Sequence, residues 1–155
     1  VVIMRIAVGS DHAGYEGPPP LFKPEIMRYL GEKGHMVVDC GTNGPESVDY
    51  PDFAQAVCDK VLSGQADAGV LMCGTGIGVA IAANRNRGIR AAVCANPEMA
   101  RLSREHNNAN ILCLGRRILL LDECRTILDV WLATPFSNDE RHRRRVCKMD
   151  DSRME

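Results

Sequence analysis

Aromatic residues are scarce in this chain, with one Trp, three Tyr and three Phe among 155 residues. That is too few for a platform on which bases stack, and a net charge of −1 offers no broad basic face. Nucleic acid is therefore not an expected partner. Long hydrophobic runs are missing as well. No apolar stretch approaches the roughly 20 residues that cross a bilayer, so no membrane span is expected. The opening stretch Val1–Gly9 lacks a basic lead-in and a small-residue cleavage site, and it reads as a strand, not a signal peptide. The seven cysteines (Cys40, Cys58, Cys73, Cys94, Cys113, Cys124 and Cys147) are odd in number and include no C-x-x-C pair. No His/Cys cluster has zinc-site spacing, so neither a disulfide framework nor a metal site is expected. A reducing, cytoplasmic setting fits this usage. Lys is rare too, at four residues against fifteen Arg.

What is present describes an ordinary globular chain, 45% hydrophobic and 25% charged. Its length suits one domain over residues 1–155 with a single core, and the polar tail 146–155 is expected to fray. The charge is unevenly spread. Residues 1–83 carry 5 basic and 10 acidic groups, whereas residues 84–117 carry 7 Arg against Glu98 and Glu105. The planar fork of Arg matches phosphate and carboxylate oxygens, so the bias toward Arg suits a small anionic ligand as well as a salt-bridged surface.

Short apolar runs alternate with helical periodicity. Strands are expected at Met4–Gly9, Met36–Cys40, Ala68–Cys73, Ile89–Ala95 and Asn110–Leu114, nearly continuous in apolar residues as parallel strands buried on both faces are. Between them, a first helix runs from about Pro24 to Lys33 and stops at Gly34. A second starts with Asp52 as N-cap and Gln55 completing a capping box. A third follows the glycines after Cys73 and runs to about Asn84. A fourth begins at Asn96-Pro97, and a fifth carries Cys124, Ile127, Leu128, Trp131 and Leu132 on one stripe before Pro135. The pattern is α/β: a single doubly wound, Rossmann-like domain with a five-stranded parallel sheet flanked by helices.

In such sheets ligands gather at the carboxyl ends of the strands. Ser10-Asp11-His12 follows the first strand, Cys73-Gly74-Thr75-Gly76-Ile77-Gly78 the third, and Gly115-Arg116-Arg117 the fifth. An Asp-His pair in that place is equally a turn and cap. The glycine run is more specific: it lets backbone N–H groups point inward at a helix start. With no Lys following, it is not a P-loop, and it stands after the third strand where a dinucleotide fingerprint would follow the first. What remains is an oxyanion hole beside a thiol, and a helix N-terminus favours the thiolate. His106-Asn107 precedes the fifth strand, as a helix end by itself would. Arg141 and Arg145 are four apart, so on a helix they share a face and can grip one phosphate.

Six ordered blocks resemble the ribose-5-phosphate isomerase B family, which also contains galactose-6-phosphate and allose-6-phosphate isomerases. They are GSDHAGYE (Gly9–Glu16), DYPDFA (Asp49–Ala54), CGTGIGVAIAANR (Cys73–Arg85), GIRAAVC (Gly88–Cys94), LSREHNNANILCLGRR (Leu102–Arg117) and RHRRRV (Arg141–Val146). The resemblance, from about Arg5 to Val146, implies an aldose–ketose isomerase that works through an enediolate on a small sugar phosphate, without cofactor or metal. It implies Cys73 as the base between C2 and C1, and Thr75 with His106 opening the furanose ring. Gly74, Gly76, Ile77 and Gly78 would belong to the loop that steadies the enediolate oxygen. Asp11 and Asn107 would bind hydroxyls; His12, Arg117, Arg141 and Arg145 would hold the phosphate; Tyr50 would line the pocket. It further implies a homodimer, or a dimer of dimers, with His106, Asn107 and Arg117 supplied to the partner's Cys73 pocket.

This chain departs from the pattern at Gly17-Pro18-Pro19-Pro20, inserted before Leu21-Phe22-Lys23 beside Asp11 and His12. It has Cys73 where some members use a glutamate. Three other readings stay open at this level: an isomerase of a six-carbon sugar phosphate, a nucleotide-binding module that uses the glycine turn alone, and a sugar-phosphate sensor without activity.

Overall fold

A computed structural model describes residues 2–151. The chain runs through β1 (Arg5–Ser10), a 3₁₀ turn (His12–Tyr15), α1 (Phe22–Glu32), β2 (Met36–Asp39), α2 (Tyr50–Leu62) and β3 (Ala68–Cys73). It continues through α3 (Ile77–Ala83), β4 (Ala91–Val93), α4 (Pro97–Glu105), β5 (Ile111–Gly115), α5 (Leu121–Ala133) and α6 (Glu140–Asp151). The strands form one all-parallel sheet in the order β2-β1-β3-β5-β4. Among the described residues, no helix is long and apolar enough to cross a membrane.

Strand alternation divides the core into two layers. Ile6, Val8, Val70, Met72, Leu112 and Leu114 point to one face and meet Phe22, Ile26 and Leu30 of α1 and Ile127, Leu128 and Trp131 of α5. Ala7, Leu71, Ile111 and Cys113 point to the other, against Ala54, Val57 and Cys58 of α2 and Val79 and Ala83 of α3. Each fully buried Leu or Ile in these layers contributes roughly 1.5–3 kcal/mol. Helix α2 lies close on the sheet because Gly9 and Gly69 have no side chain; a Cβ at either would stand within 2.8 Å of Val57.

Several boundaries differ from the sequence reading. Helix α2 begins at Tyr50, and Asp52 sits in its first turn, not at its cap. Pro51 sets the start, since the first turn leaves its N–H groups unbonded and proline has none to lose. Strand β4 is only Ala91–Val93, an edge strand with β5 as its one neighbour. The expected fraying after Val146 is corrected over Val146–Asp151, which belong to α6. Val146 is buried, Arg90 Nη1 meets the Asp150 carboxylate at 3.0 Å, and Arg87 Nε donates to the Asp150 carbonyl at 3.2 Å. The remainder of that tail, 152–155, lies outside the described residues.

Candidate active site

The chain leaves β1 toward β2 on one side and reaches β3 on the other, so the carboxyl ends of β1 and β3 form the crevice where the winding reverses. Three loops meet there and are laced by backbone hydrogen bonds. Asp11 N–H donates to the Met72 carbonyl at 3.3 Å. Arg116 N–H donates to the Cys73 carbonyl at 2.9 Å, and Arg117 N–H to the Gly74 carbonyl at 2.8 Å.

Cys73, the last residue of β3, is 5% exposed, and its Sγ accepts the Gly76 N–H at 3.2 Å. This places a backbone donor on the sulfur, the kind of partner a thiolate needs out of water. Gly76 has φ +80°, and a Cβ there would stand 3.0–3.2 Å from the backbone of Leu114 and Gly115. Only glycine fits both the left-handed turn and that gap. Thr75 Oγ1 accepts the Ile77 N–H at 3.1 Å, which ties the loop to the start of α3. The other strand-associated thiols serve packing. Burial pushes Cys40, Cys94 and Cys113 up from the ordinary thiol range, as it does Cys58, up to about 11, and Cys124, up to about 12.

Around Cys73 stand most of the residues singled out from the sequence. Asp11 is buried and accepts the Ala13 N–H at 2.9 Å, capping the 3₁₀ turn. His12 Nδ1 accepts the Val48 N–H at 3.2 Å, so a neutral ring carries its proton on Nε2. Tyr50 lays its ring against Gly78, where a Cβ would come within 2.8 Å of it. Arg117 Nη1 lies 2.7 Å from the place a Gly74 Cβ would take. The assembled groups comprise a thiol with a donor, a carboxylate, an imidazole and a guanidinium, enough to move a proton beside a bound anion.

Four of the residues are elsewhere. His106 caps α4, Asn107 follows it, and both precede β5 at the amino end of the sheet. Ile111 opens β5 opposite Gly69, four residues before Cys73, about 13 Å along the strand. His106 stacks on His142 of α6 with ring centroids 4.4 Å apart. Asn107 lines a cavity of about 450 Å³ with Arg85, Arg87 and Asp150. Arg141 and Arg145 are exposed on α6, a helix the sequence reading did not assign, where their spacing of four puts them on one face. Within one chain these four do not join Cys73. Arg117 is a correction of the opposite kind: expected in the partner's pocket, it stands at its own chain's Cys73 loop, because it follows directly on the strand paired with β3.

The sequence reading left three site-building residues without a role. Lys23, fully buried, donates from Nζ to Asp39 Oδ1 (2.6 Å), the Thr42 carbonyl (2.6 Å) and Asn43 Oδ1 (3.0 Å). It thereby holds the loop that leads to Val48 and Tyr50. Arg116 stacks over Phe22, 4.4 Å from the ring centroid, and donates to the Glu16 carbonyl at 3.2 Å. Glu16 itself pairs with Arg117, whose guanidinium holds the Glu16 carboxyl below the usual carboxylate range. The available signal was Glu16's place inside the first block, next to the insertion.

Comparison with known proteins bears on the family and the fold. The family model described as Ribose/Galactose Isomerase matches residues 6–149. The chain is 44% identical to ribose-5-phosphate isomerase B of Escherichia coli, over 92% of this chain and 91% of that protein. It is 37% identical to galactose-6-phosphate isomerase subunit LacB of Clostridium acetobutylicum, over 96% of this chain and 83% of the relative. Among solved structures, ribose-5-phosphate isomerase B of Clostridium thermocellum superposes with a TM-score of 0.90 at 51% identity, covering 96% of each chain.

Proposed function

The chain belongs to the Ribose/Galactose Isomerase family, and from that premise we propose that it interconverts ribose 5-phosphate and ribulose 5-phosphate with Cys73 as the base. The carrying observation is the Cys73 sulfur, held by the Gly76 N–H at 3.2 Å in the crevice between Asp11 and Arg117. In the forward direction Thr75 and His106 open the furanose ring. The Cys73 thiolate then removes the C2 proton, and the electron pair moves through the C1–C2 bond onto the C1 oxygen, giving an enediolate. Backbone donors of Gly74–Gly78 steady that oxygen. Cys73 returns its proton to C1 while the C2 hydroxyl proton passes to the C1 oxygen, which leaves the ketone at C2 and regenerates the thiolate. Asp11 and Asn107 bind hydroxyls, Tyr50 lines the pocket, and His12, Arg117, Arg141 and Arg145 hold the phosphate.

His106, Asn107, Arg141 and Arg145 reach this site from a second copy of the chain, so the active unit is a homodimer with shared sites. Their place at the amino end of the sheet supports this reading. So does the exposed apolar edge of Ile77 and Ile81 on α3, one turn apart beside the Cys73 loop.

A six-carbon sugar phosphate is the second reading, favoured by the likeness to the galactose-6-phosphate isomerase subunit and by the Gly17–Pro20 insertion at the mouth. Incubation with ribose 5-phosphate, allose 6-phosphate and galactose 6-phosphate, following ketose formation in each, decides between them. Fastest turnover of ribose 5-phosphate upholds the first reading. Faster turnover of a hexose phosphate replaces it, and no ketose from any of the three rejects both.

A further inference from the structure

A guanidinium has two edges able to take a pair of oxygens, the Nε–Nη2 edge and the Nη1–Nη2 edge. In Arg117 the first is filled by Glu16: Nε donates to Oε1 at 3.1 Å and to Oε2 at 3.3 Å, and Nη2 donates to Oε1. Nη1 is turned over Gly74, on the approach to Cys73. Glu16 therefore fixes which edge of Arg117 faces the crevice.

Glu16 is itself held from behind. Its carbonyl accepts from Arg116 Nη2 at 3.2 Å, and the same guanidinium stacks on Phe22. Glu16 and Phe22 are the residues on either side of the segment Gly17–Leu21. Arg116 thus clasps both ends of the inserted loop, and the two consecutive arginines after β5 grip one glutamate, one by its backbone and one by its carboxylate.

We propose that Glu16 is a positioning residue that presents the Nη1 edge of Arg117 to the anionic group of the substrate. This rests on the sugar-phosphate reading above. Arg117 is more than half exposed at its side chain, so without Glu16 it samples many rotamers and the anion must order it on binding. With Glu16 in place, that ordering is complete before the ligand arrives. The carboxylate does not compete with the anion, because it occupies the other edge.

The test uses Glu16→Ala and Glu16→Gln in the full chain, with thermal unfolding to establish that each remains folded. Steady-state kinetics on the best sugar phosphate should show KM raised about 5- to 20-fold in Glu16→Ala with kcat within twofold, and a smaller rise in Glu16→Gln. In an Arg117→Ala background, Glu16→Ala should add nothing further, which a general loosening of the loop would not reproduce. A KM unchanged in Glu16→Ala overturns the proposal. So does a lowered KM, which would make the carboxylate a competitor, and so does an equal further loss in the Arg117→Ala background. Calorimetric titration with inorganic phosphate supplies a readout independent of turnover. If no sugar phosphate is isomerised by the wild-type chain, the functional reading fails, while a weaker phosphate affinity in Glu16→Ala still upholds the role of Glu16 and an unchanged affinity still rejects it.

Discussion

The two ends of the parallel sheet are built differently. At the carboxyl end, three loops from β1, β3 and β5 are tied by backbone hydrogen bonds, and Cys73, Asp11, His12, Tyr50 and Arg117 are set by fixed partners before any ligand is present. At the amino end, His106 stacks on His142 and lies 3.7 Å from Glu105, Asn107 lines a cavity with Arg85 and Asp150, and Arg141 and Arg145 are exposed on α6. One end resembles a pocket and the other a key. A domain of this size has one crevice where its winding reverses. On the shared-site reading proposed above, residues displayed at the far end act in another copy's crevice, and two-fold symmetry would make each copy both pocket and key.

The largest effect should come from the pocket end. If Cys73 is the base proposed above, Cys73→Ala removes both proton transfers, and kcat should fall by about three orders of magnitude or more. Cys73→Ser should do nearly as badly, because a hydroxyl is far less acidic than a thiol. Initial-rate measurement of ketose formation is the check; a Cys73→Ala protein that keeps a tenth of wild-type activity removes Cys73 from the base role.

Next comes a test of whether the two ends work together across chains. Cys73→Ala and His106→Ala proteins, each expected to be inactive, should form mixed dimers when mixed and allowed to exchange subunits by dilute unfolding and refolding. A mixed dimer collects both mutations in one site and leaves the other intact. With half the dimers mixed and half their sites restored, activity should return to roughly a quarter of wild type. No recovery after verified exchange would mean that each site is built within a single chain.

Intermediate effects should fall on the arginines of both ends alike. If Arg117 at the pocket and Arg141 and Arg145 on α6 hold one phosphate, each change to Ala should cost roughly 1.5–3 kcal/mol in kcat/KM, about 10- to 150-fold. Arg143 and Arg144, on the same helix but lining a separate hollow with Glu140 and Cys147, should cost much less. Equal losses at all five positions would point to a diffuse electrostatic contribution in place of a grip.

Legibility in the sequence follows the same division. Strand β3 was readable to the residue, Ala68–Cys73, because a strand buried on both faces has no polar position to blur its ends. Asn96-Pro97 marked α4 for a local reason: the Asn96 side chain accepts the Met99 N–H at 2.8 Å, and the proline follows. The Cys73 loop was readable because Gly74, Gly76 and Gly78 alternate within one short stretch of sequence. What escaped was set by partners far away in the chain. Glu16 and Arg117 are 101 residues apart, Arg90 and Asp150 are 60 apart, and neither pairing leaves a local pattern. The separation of His106 from its own chain's Cys73 was implied by the resemblance, which sends His106 to a partner's pocket, and strand direction puts the two residues at opposite ends of the sheet.

The smallest effect should separate the ends by acid. His142 is buried beside His106, with Ser137 Oγ 2.7 Å from its Nδ1. Its pKa is lowered from the ordinary value, first by burial and then by His106, Arg141 and Arg145, with Asp139 pulling the other way. The unfolded chain therefore takes up this proton more readily than the folded one. The stabilisation from neutral His142 is complete above the reference pKa of about 6.5 and is lost as pH falls through the lowered folded value. Protonation sets a cation against Arg141, Arg145 and the stacked His106 ring, so α6 should loosen while the loops around Cys73, tied by backbone bonds, should not. Amide hydrogen exchange compared at pH 7.5 and pH 5.5, corrected for intrinsic rates, should show protection falling in Glu140–Asp151 and holding in Met72–Ala83. His142→Gln keeps a polar group near Ser137 but cannot titrate, and its α6 protection should become insensitive to this change of pH. If α6 in His142→Gln still loosens by the same factor, the acid response belongs to another group. If both ends loosen together, the amino and carboxyl ends are not separable units of stability.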